Sequence, residues 1–103
     1  MAAAPPFAAY SSLTAWTMPP DAWPDFYAAL QALKGHVQEY PGCQRFDVFV
    51  HAEEAGVRVH CYTTWDTAAQ LDAFVERGYT PARMAVDCVG VAADETLMME
   101  KLF

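Results

Sequence analysis

The chain has 103 residues, which is the usual size of one domain. Hydrophobic residues make up 54% and charged residues 18%, and this composition excludes a disordered or low-complexity chain. Thirteen acidic residues against six basic ones give a formal net charge of −7. That balance argues against nucleic acid and against a membrane as partners, because nucleic acid and anionic lipid both need a basic surface.

The N-terminus and the cysteines together predict a cytoplasmic protein. Residues 1–6 carry no basic side chain and end on Pro5–Pro6, unlike a secretory signal. The three cysteines, Cys43, Cys61 and Cys88, are odd in number and form no C-x-x-C pair, which favours reduced thiols over a disulfide framework.

The first elements along the chain are a loose segment, a strand and a helix. Residues 1–8 are rich in Ala and Pro and are expected to be loose, before a single domain over residues 9–103. Residues 10–17 have the β-branched and aromatic content of a strand. A helix is then predicted to begin at Asp21 or one turn later and to end near Tyr40. Its apolar residues recur at helical spacing: Trp23, Phe26, Tyr27, Leu30, Leu33 and Val37.

A β-hairpin follows, with strands over residues 43–51 and 57–65 around a five-residue turn. If residues pair one to one around that turn, Asp47 lies opposite Cys61, although a bulge would change the pairing. Under this register one face of the hairpin carries a set of six side chains: Asp47, Phe49, His51, Cys61, Thr63 and Trp65.

Asp66 or Thr67 is predicted to cap a second helix that runs to Arg77–Gly78. A shorter helical segment over residues 79–88 and a strand over residues 95–103 complete the chain. This order predicts an α+β, ferredoxin-like split βαββαβ fold with an antiparallel sheet and helices on one face.

The other face of that sheet has no helix to cover it. It is expected to carry an apolar row, and such a row indicates a homodimer. The row comprises Phe46, Val48, Val50, Tyr62, Leu97 and Met99.

Several segments resemble the antibiotic biosynthesis monooxygenase family from about Leu13 to Phe103. They are Leu30-x-x-Leu33, residues 40–43 (Tyr-Pro-Gly-Cys), and residues 64–67 (Thr-Trp-Asp-Thr) before Leu71. The resemblance implies a dimeric α/β barrel whose pocket, between sheet and helices, oxygenates anthrones or quinols with O2 and without metal, flavin or other cofactor.

At three positions the chain differs from subgroups of the family, and each difference bears on which activity the resemblance implies. Haem-degrading relatives carry a His on the helix after the Trp strand, and residues 68–77 contain none, which disfavours haem. Quinol-oxidising relatives place a His where this chain has Phe74. Anthrone oxygenases carry an Asn four residues before the Trp, where Cys61 offers a poorer hydrogen-bond donor.

Three residues are candidates for catalysis. Trp65 offers a flat face and one N–H donor, His51 has a side chain that accepts a proton near neutral pH, and Arg83 could pair with a phenolate. Each also has a simpler interpretation, as packing or as a solvated side chain. The three histidines fall on three different faces, so no metal site is expected.

The candidate substrate-binding residues are those expected to line a cavity between helices and sheet. They are Phe26, Tyr27, Phe49, Cys61, Thr63, Phe74, Tyr79 and Met84. The first hypothesis is a cofactor-independent monooxygenase of a small aromatic substrate. The alternatives are a non-catalytic aromatic-binding or stress-response module, and an isomerase or cyclase on the same scaffold.

Overall fold

A computed structural model describes residues 9–102; the segment 1–8 predicted to be loose and the last residue of the final strand lie outside it. The described elements, in chain order, are β1 (Ala9–Met18), α1 (Trp23–Glu39), β2 (Cys43–Glu53), β3 (Gly56–Trp65), α2 (Ala68–Arg77), α3 (Pro81–Val89) and β4 (Glu95–Lys101). The strands form one antiparallel sheet in the order β2-β3-β1-β4. The α+β, ferredoxin-like prediction is therefore confirmed.

Helix α1 begins at Trp23, two residues after the predicted Asp21 cap. Its N-cap residue is Ala22, which makes no side-chain cap, and Pro24 occupies the first turn, where a missing N–H costs nothing. Four apolar side chains at helical spacing are buried against the sheet: Phe26, Leu30, Leu33 and Val37.

Helices α2 and α3 each begin at a threonine cap. The Thr67 Oγ1 accepts a hydrogen bond from the Gln70 N–H at 3.2 Å, and the Thr80 Oγ1 accepts one from the Arg83 N–H, also at 3.2 Å. Thr67 and not Asp66 is thus the cap of α2. These caps fix where the helices begin and thereby direct Leu71 of α2 into the core.

The hairpin register differs from the predicted one. Glu53 pairs with Gly56 around a two-residue turn, so Asp47 lies opposite Tyr62 and not opposite Cys61. Gly56 has φ +149°, and a Cβ there would collide with the backbone of Met18. A bulge near Gln44 restores the predicted pairing of Cys43 with Trp65 at the far end of the hairpin.

This one-residue shift moves the side chains of β2 to the other face of the sheet. The sequence predicts that His51, Phe49 and Asp47 share a face with Trp65. That prediction is wrong, because all three lie on the opposite face. Phe46 and Val48 share the face of Trp65 instead, since Val48 pairs with the buried Cys61.

The two faces of the sheet now have defined residues. The helix-covered face carries buried side chains: Ser12, Trp16, Met18, Phe46, Val59, Cys61, Thr63 and Trp65. The open face carries partly exposed side chains: Ser11, Leu13, Asp47, Phe49, His51, His60, Tyr62, Thr64, Leu97 and Met99. Of the predicted apolar row, Tyr62, Leu97 and Met99 are on the open face. The prediction is wrong for Phe46, Val48 and Val50, which the shifted register places on the helix-covered face.

The helices of residues 9–102 include none with the length and apolar character needed to cross a bilayer.

Candidate active site

A small cavity lies between the helix-covered face of the sheet and helices α2 and α3. Its volume is about 90 Å³. Side chains of β1, β3 and β4 form its floor, and α2 and α3 form its roof. The lining residues are Ser12, Thr14, Cys61, Thr63, Leu71, Phe74, Val75, Thr80, Pro81, Ala82, Thr96 and Met98.

The rim of the cavity is formed by its three exposed lining side chains, Val75, Thr96 and Met98. Met98 is 51% exposed and Val75 is 37% exposed. Because Met98 is unbranched and flexible, it is the rim residue that can most easily change its conformation. An opening between α2 and β4 is thus the route by which a ligand would enter.

The floor of the cavity carries four hydroxyl groups, and two of them, those of Ser12 and Thr63, are buried. Ser12 and Thr63 are partners in the β1–β3 register, and their side-chain oxygens lie 2.5 Å apart. Both side chains are buried, at 8% and 3% exposure. They place hydrogen-bonding groups in surroundings where electrostatic interactions are strong.

Trp65 lies behind this floor and is fully buried. Its ring stacks on Phe74, with ring centroids 4.9 Å apart, and meets the edge of Tyr40 at 6.1 Å. The indole Nε1–H donates to Thr63 Oγ1 at 2.8 Å. Trp65 therefore contacts the cavity through Thr63 and Phe74, and its single N–H donor is already used.

Cys61 is the one lining residue of the cavity whose side chain titrates. Burial, with a further contribution from Asp47, raises the pKa of its thiol to about 12. At neutral pH this thiol is protonated, so it can act neither as a nucleophile nor as a base.

His51 and Arg83, the two predicted proton-handling or anion-pairing residues, lie outside the cavity. His51 is exposed on the open face, where its ring stacks on His60 and its Nε2 is 3.8 Å from Glu53 Oε1. These two histidines therefore share a face, and the prediction of three different faces for the three histidines is wrong. Arg83 is exposed on α3, and its Nη1 donates to the carbonyl of Gly78 at 3.4 Å. The structure brings neither of them to the cavity or to Trp65.

The predicted substrate-binding residues divide among four places. Cys61, Thr63 and Phe74 line the cavity, whereas Phe26 is packed in the core. Tyr27 and Phe49 line a shallow groove between α1 and β2, and Tyr79 and Met84 line another between α1 and α3.

Sequence reasoning missed the contribution of β1 and β4 to the cavity. Ser12, Thr14, Thr96 and Met98 come from these strands. A signal was present in β1, where Ser12 and Thr14 alternate in phase with the large Trp16 and Met18. The pairing of Ser12 with Thr63 joins residues 51 positions apart, and only the sheet order reveals it.

The sequence profile of the antibiotic biosynthesis monooxygenase family matches residues 10–81, which include β1, the hairpin and α2. The chain belongs to this family. The family includes monooxygenases and also haem-degrading proteins. No curated protein matches the chain.

Solved structures share the fold over nearly the whole chain. A conserved protein from Methanosarcina mazei is 14% identical with a TM-score of 0.75, covering 92% of this chain and 94% of its own. A candidate antibiotic biosynthesis monooxygenase from Nitrosomonas europaea is 19% identical with a TM-score of 0.73, covering 93% and 92%. A haem-degrading protein from Mycobacterium tuberculosis is 16% identical with a TM-score of 0.65, covering 92% of each chain. At such identities these likenesses show the fold alone.

Haem does not fit the cavity of this chain. The lining residues include no histidine, and the Cys61 thiol is protonated and so is not a thiolate ligand. Residues 9–102 contain no group of three or more His, Cys, Asp or Glu side chains placed to hold a metal ion.

Proposed function

We propose that the chain is a cofactor-independent monooxygenase that transfers one atom of O2 to a small aromatic substrate of the anthrone or quinol type. The observation that carries this proposal is a cavity with mainly apolar walls and two buried hydroxyl groups on its floor, Ser12 and Thr63. Apolar walls suit a flat ring, and hydroxyl groups suit the oxygen that the ring carries. Membership of the family supports the same class of reaction.

The reaction requires a substrate that is acidic enough to lose a proton without a base from the protein. The anion formed in this way donates one electron to O2, and the resulting radical combines with superoxide at a ring carbon to form a peroxide, which takes up one proton from solvent. In an anthrone, loss of water from that carbon leaves a carbonyl, so that CH2 and O2 become C=O and H2O. In a hydroquinone the carbon is a ring CH, and the same loss of water gives a hydroxyquinone and H2O. Because Cys61 is the one titratable lining side chain and it is protonated, the substrate's proton leaves to solvent.

The protein's contribution is to bind the ring, exclude water and hold hydrogen-bond donors against the developing anion. A cavity of about 90 Å³ is smaller than the ~150 Å³ cavity that is known to hold benzene in another protein. The rim must therefore move outward when a ring enters. Met98, exposed and flexible, is the side chain that we expect to move.

Oxygen uptake by metal-free protein with a panel of anthrones and hydroquinones tests the proposal. Thr63→Val keeps the shape of the side chain and removes its hydroxyl, and we expect roughly a tenfold loss of rate for one lost hydrogen bond. Thr64→Val is the matched control, because Thr64 lies next in the strand and on the open face. Absence of oxygen uptake with every compound, or equal rates for the two variants, would overturn the proposal.

A second candidate function is binding of an aromatic ligand without chemistry. The absence of an ionisable base among the lining residues favours it, since many oxygenation reactions need a base to form the substrate anion. Saturable binding of the panel compounds without oxygen consumption would identify this function.

The proposal includes a homodimer formed through the open face. A row of apolar side chains crosses the sheet there: Leu97 pairs with Leu13, Leu13 pairs with Tyr62, and Phe49 meets the edge of Tyr62 with ring centroids 5.8 Å apart. Charged side chains of both signs, Arg45, Asp47 and Lys101, surround it. An apolar centre with a charged margin is typical of an interface between subunits.

A further inference from the structure

We infer that Trp65, Thr63 and Ser12 form a hydrogen-bond relay that presents one hydroxyl proton of Ser12 to a single oxygen atom of an aromatic ligand. Ser12 is then the residue that contacts the ligand, and Thr63 and Trp65 are positioning residues. The inference deepens the proposed function and rests on it for the class of ligand.

The three side chains form a chain of two hydrogen bonds across two neighbouring strands. Trp65 and Thr63 are two residues apart on β3, so they share its helix-covered face, and Ser12 of β1 is the register partner of Thr63. The Trp65 Nε1–Thr63 Oγ1 distance is 2.8 Å and the Thr63 Oγ1–Ser12 Oγ distance is 2.5 Å. Ser12 and Thr63 both line the cavity, whereas Trp65 does not.

Counting protons shows that one hydroxyl proton is left over. The indole N–H can only donate, so Thr63 Oγ1 accepts it. The Ser12 and Thr63 hydroxyls have two protons and share one hydrogen bond. The hydrogen bonds of residues 9–102 give neither hydroxyl another partner. One O–H donor of the Ser12–Thr63 pair therefore has no acceptor among the hydrogen bonds of residues 9–102.

The donation from Trp65 decides which hydroxyl keeps the free proton. A hydroxyl that accepts a hydrogen bond becomes a stronger donor, because successive hydrogen bonds polarise one another. Thr63 is therefore the better donor of the pair and gives its proton to Ser12 Oγ. The O–H of Ser12 is left to donate into the cavity.

The cavity offers hydroxyl donors and no charged side chain, and this selects the chemistry of the ligand. Thr14, Thr80 and Thr96 line it beside Ser12 and Thr63. The lining residues include no Lys, Arg or His, so nothing in the cavity pairs with the full charge and two oxygens of a carboxylate or with a phosphate. Ser12 is buried, whereas Thr14 and Thr80 are half-buried and Thr96 is exposed, so the Ser12 O–H is the donor best shielded from water. It suits one oxygen, such as that of an aromatic hydroxyl, its anion or its keto tautomer. The relay thus explains how Trp65 can affect the ligand without touching it.

The open face provides a natural control for this arrangement. Ser11 and Thr64 are also register partners, and their side-chain oxygens are 3.1 Å apart. No indole N–H donates to Thr64 among the hydrogen bonds of residues 9–102. The same two residue types therefore occur on both faces, and only the helix-covered pair has the third member.

Binding of para-nitrophenol tests the relay, because its anion is coloured and its neutral form is not. The probe is titrated on the full chain, in a Met98→Ala background that widens the rim. We expect Ser12→Ala to raise the pKa of the bound probe by about one unit, since a hydrogen bond to an anion stabilises it. Ser11→Ala is expected to leave that pKa unchanged. A folded Ser12→Ala protein that leaves it unchanged, or a parent protein that does not bind the probe, would overturn the inference.

Variants of the positioning residues separate the relay from simple packing. We expect Trp65→Phe to raise the pKa of the bound probe by less than Ser12→Ala does, and to add nothing when combined with Ser12→Ala. Thr63→Ser keeps the hydroxyl and should preserve the pKa, whereas Thr63→Val should raise it. If Trp65→Phe produced the same additional shift in the Ser12→Ala protein as in the parent, Trp65 would act by packing and the relay would be wrong.

The probe experiment does not depend on oxygen chemistry. If the pKa shifts occur and no panel compound consumes oxygen, the relay stands and the monooxygenase proposal fails. If oxygen is consumed and Ser12→Ala does not shift the pKa of the bound probe, the monooxygenase stands and the relay fails.

Discussion

The two faces of the sheet carry the same pair of residue types with different surroundings. On the helix-covered face Ser12 and Thr63 are buried above a tryptophan and below two helices. On the open face Ser11 and Thr64 are partly exposed beside charged side chains. A hydroxyl pair in contact with water gains little by binding an anion, whereas a buried pair gains much more. The covering elements, and not the residue types, therefore decide which face can hold a ligand.

The largest expected difference between the faces is in stability. Phe74→Ala removes a ring that is 3% exposed and stacked on Trp65, and we expect a loss of about 3–5 kcal/mol in the free energy of unfolding. Phe49→Ala removes a ring that is 58% exposed, and we expect less than about 1 kcal/mol in the isolated chain. Urea unfolding at low protein concentration measures both. Equal losses would mean that the open face is covered even in the isolated chain.

A second difference concerns association between chains. Leu97 is 44% exposed on the open face, and Val86 is 53% exposed on the outer side of α3. If the open face is the dimer interface, Leu97→Asp should weaken dimerisation roughly 30-fold, about 2 kcal/mol, by placing a charge in an apolar contact. Val86→Asp should leave it unchanged. Light scattering over a range of concentrations measures both, and a parent chain that is monomeric throughout would contradict the dimer.

A third difference is a pH dependence that only the helix-covered face should show. The pKa of the Cys61 thiol is raised from 9.0 to about 12, so folding favours its protonated form. The contribution of the Cys61 thiol to the free energy of unfolding is complete below pH 9 and is lost as the pH rises toward 12. The reason is that the thiol of the unfolded chain releases its proton at a lower pH than the thiol of the folded chain. By pH 10 the loss is roughly 1.4 kcal/mol.

Cys61→Ala should abolish this part of the alkaline loss. Tyr79, whose pKa is raised to about 12 by its hydrogen bond to Asp87, titrates in the same range in both proteins, so it cancels in the comparison. Unfolding in urea at pH 8 and pH 10, under reducing conditions, provides the measurement. The same pH dependence in both proteins would show that Cys61 is not buried as described.

The elements of the fold were predictable because they depend on local patterns. The spacing of apolar residues predicts helix α1. The sequence also predicts that α2 is capped by Asp66 or Thr67, and Thr67 is the cap. The hairpin register was not predictable, because residues 52–56 are compatible with turns of two or five residues. That difference of one position in the pairing moved His51 and Phe49 away from Trp65.

The site was less predictable than the fold because it joins distant parts of the chain. Trp65, Thr63 and Cys61 were expected to lie together from the alternation of one strand, and they do share the helix-covered face. Ser12 lies on β1, 51 positions before Thr63 in the chain. Its contact with Thr63 depends on the position of β1 beside β3. Alternation within a strand identifies a face, but it does not identify the neighbouring strand.

Two neighbouring methionines allow the most direct test of where an aromatic ligand binds. Met98 lies on the rim of the cavity, whereas Met99 pairs with Ser11 on the open face. With methyl-labelled methionine, addition of an anthrone or hydroquinone from the panel should shift the NMR signal of Met98 and leave that of Met99 unchanged. Met98→Leu identifies the first signal and Met99→Leu the second. A shift of Met99 without any change at Met98 would place the ligand on the open face and contradict the proposed site.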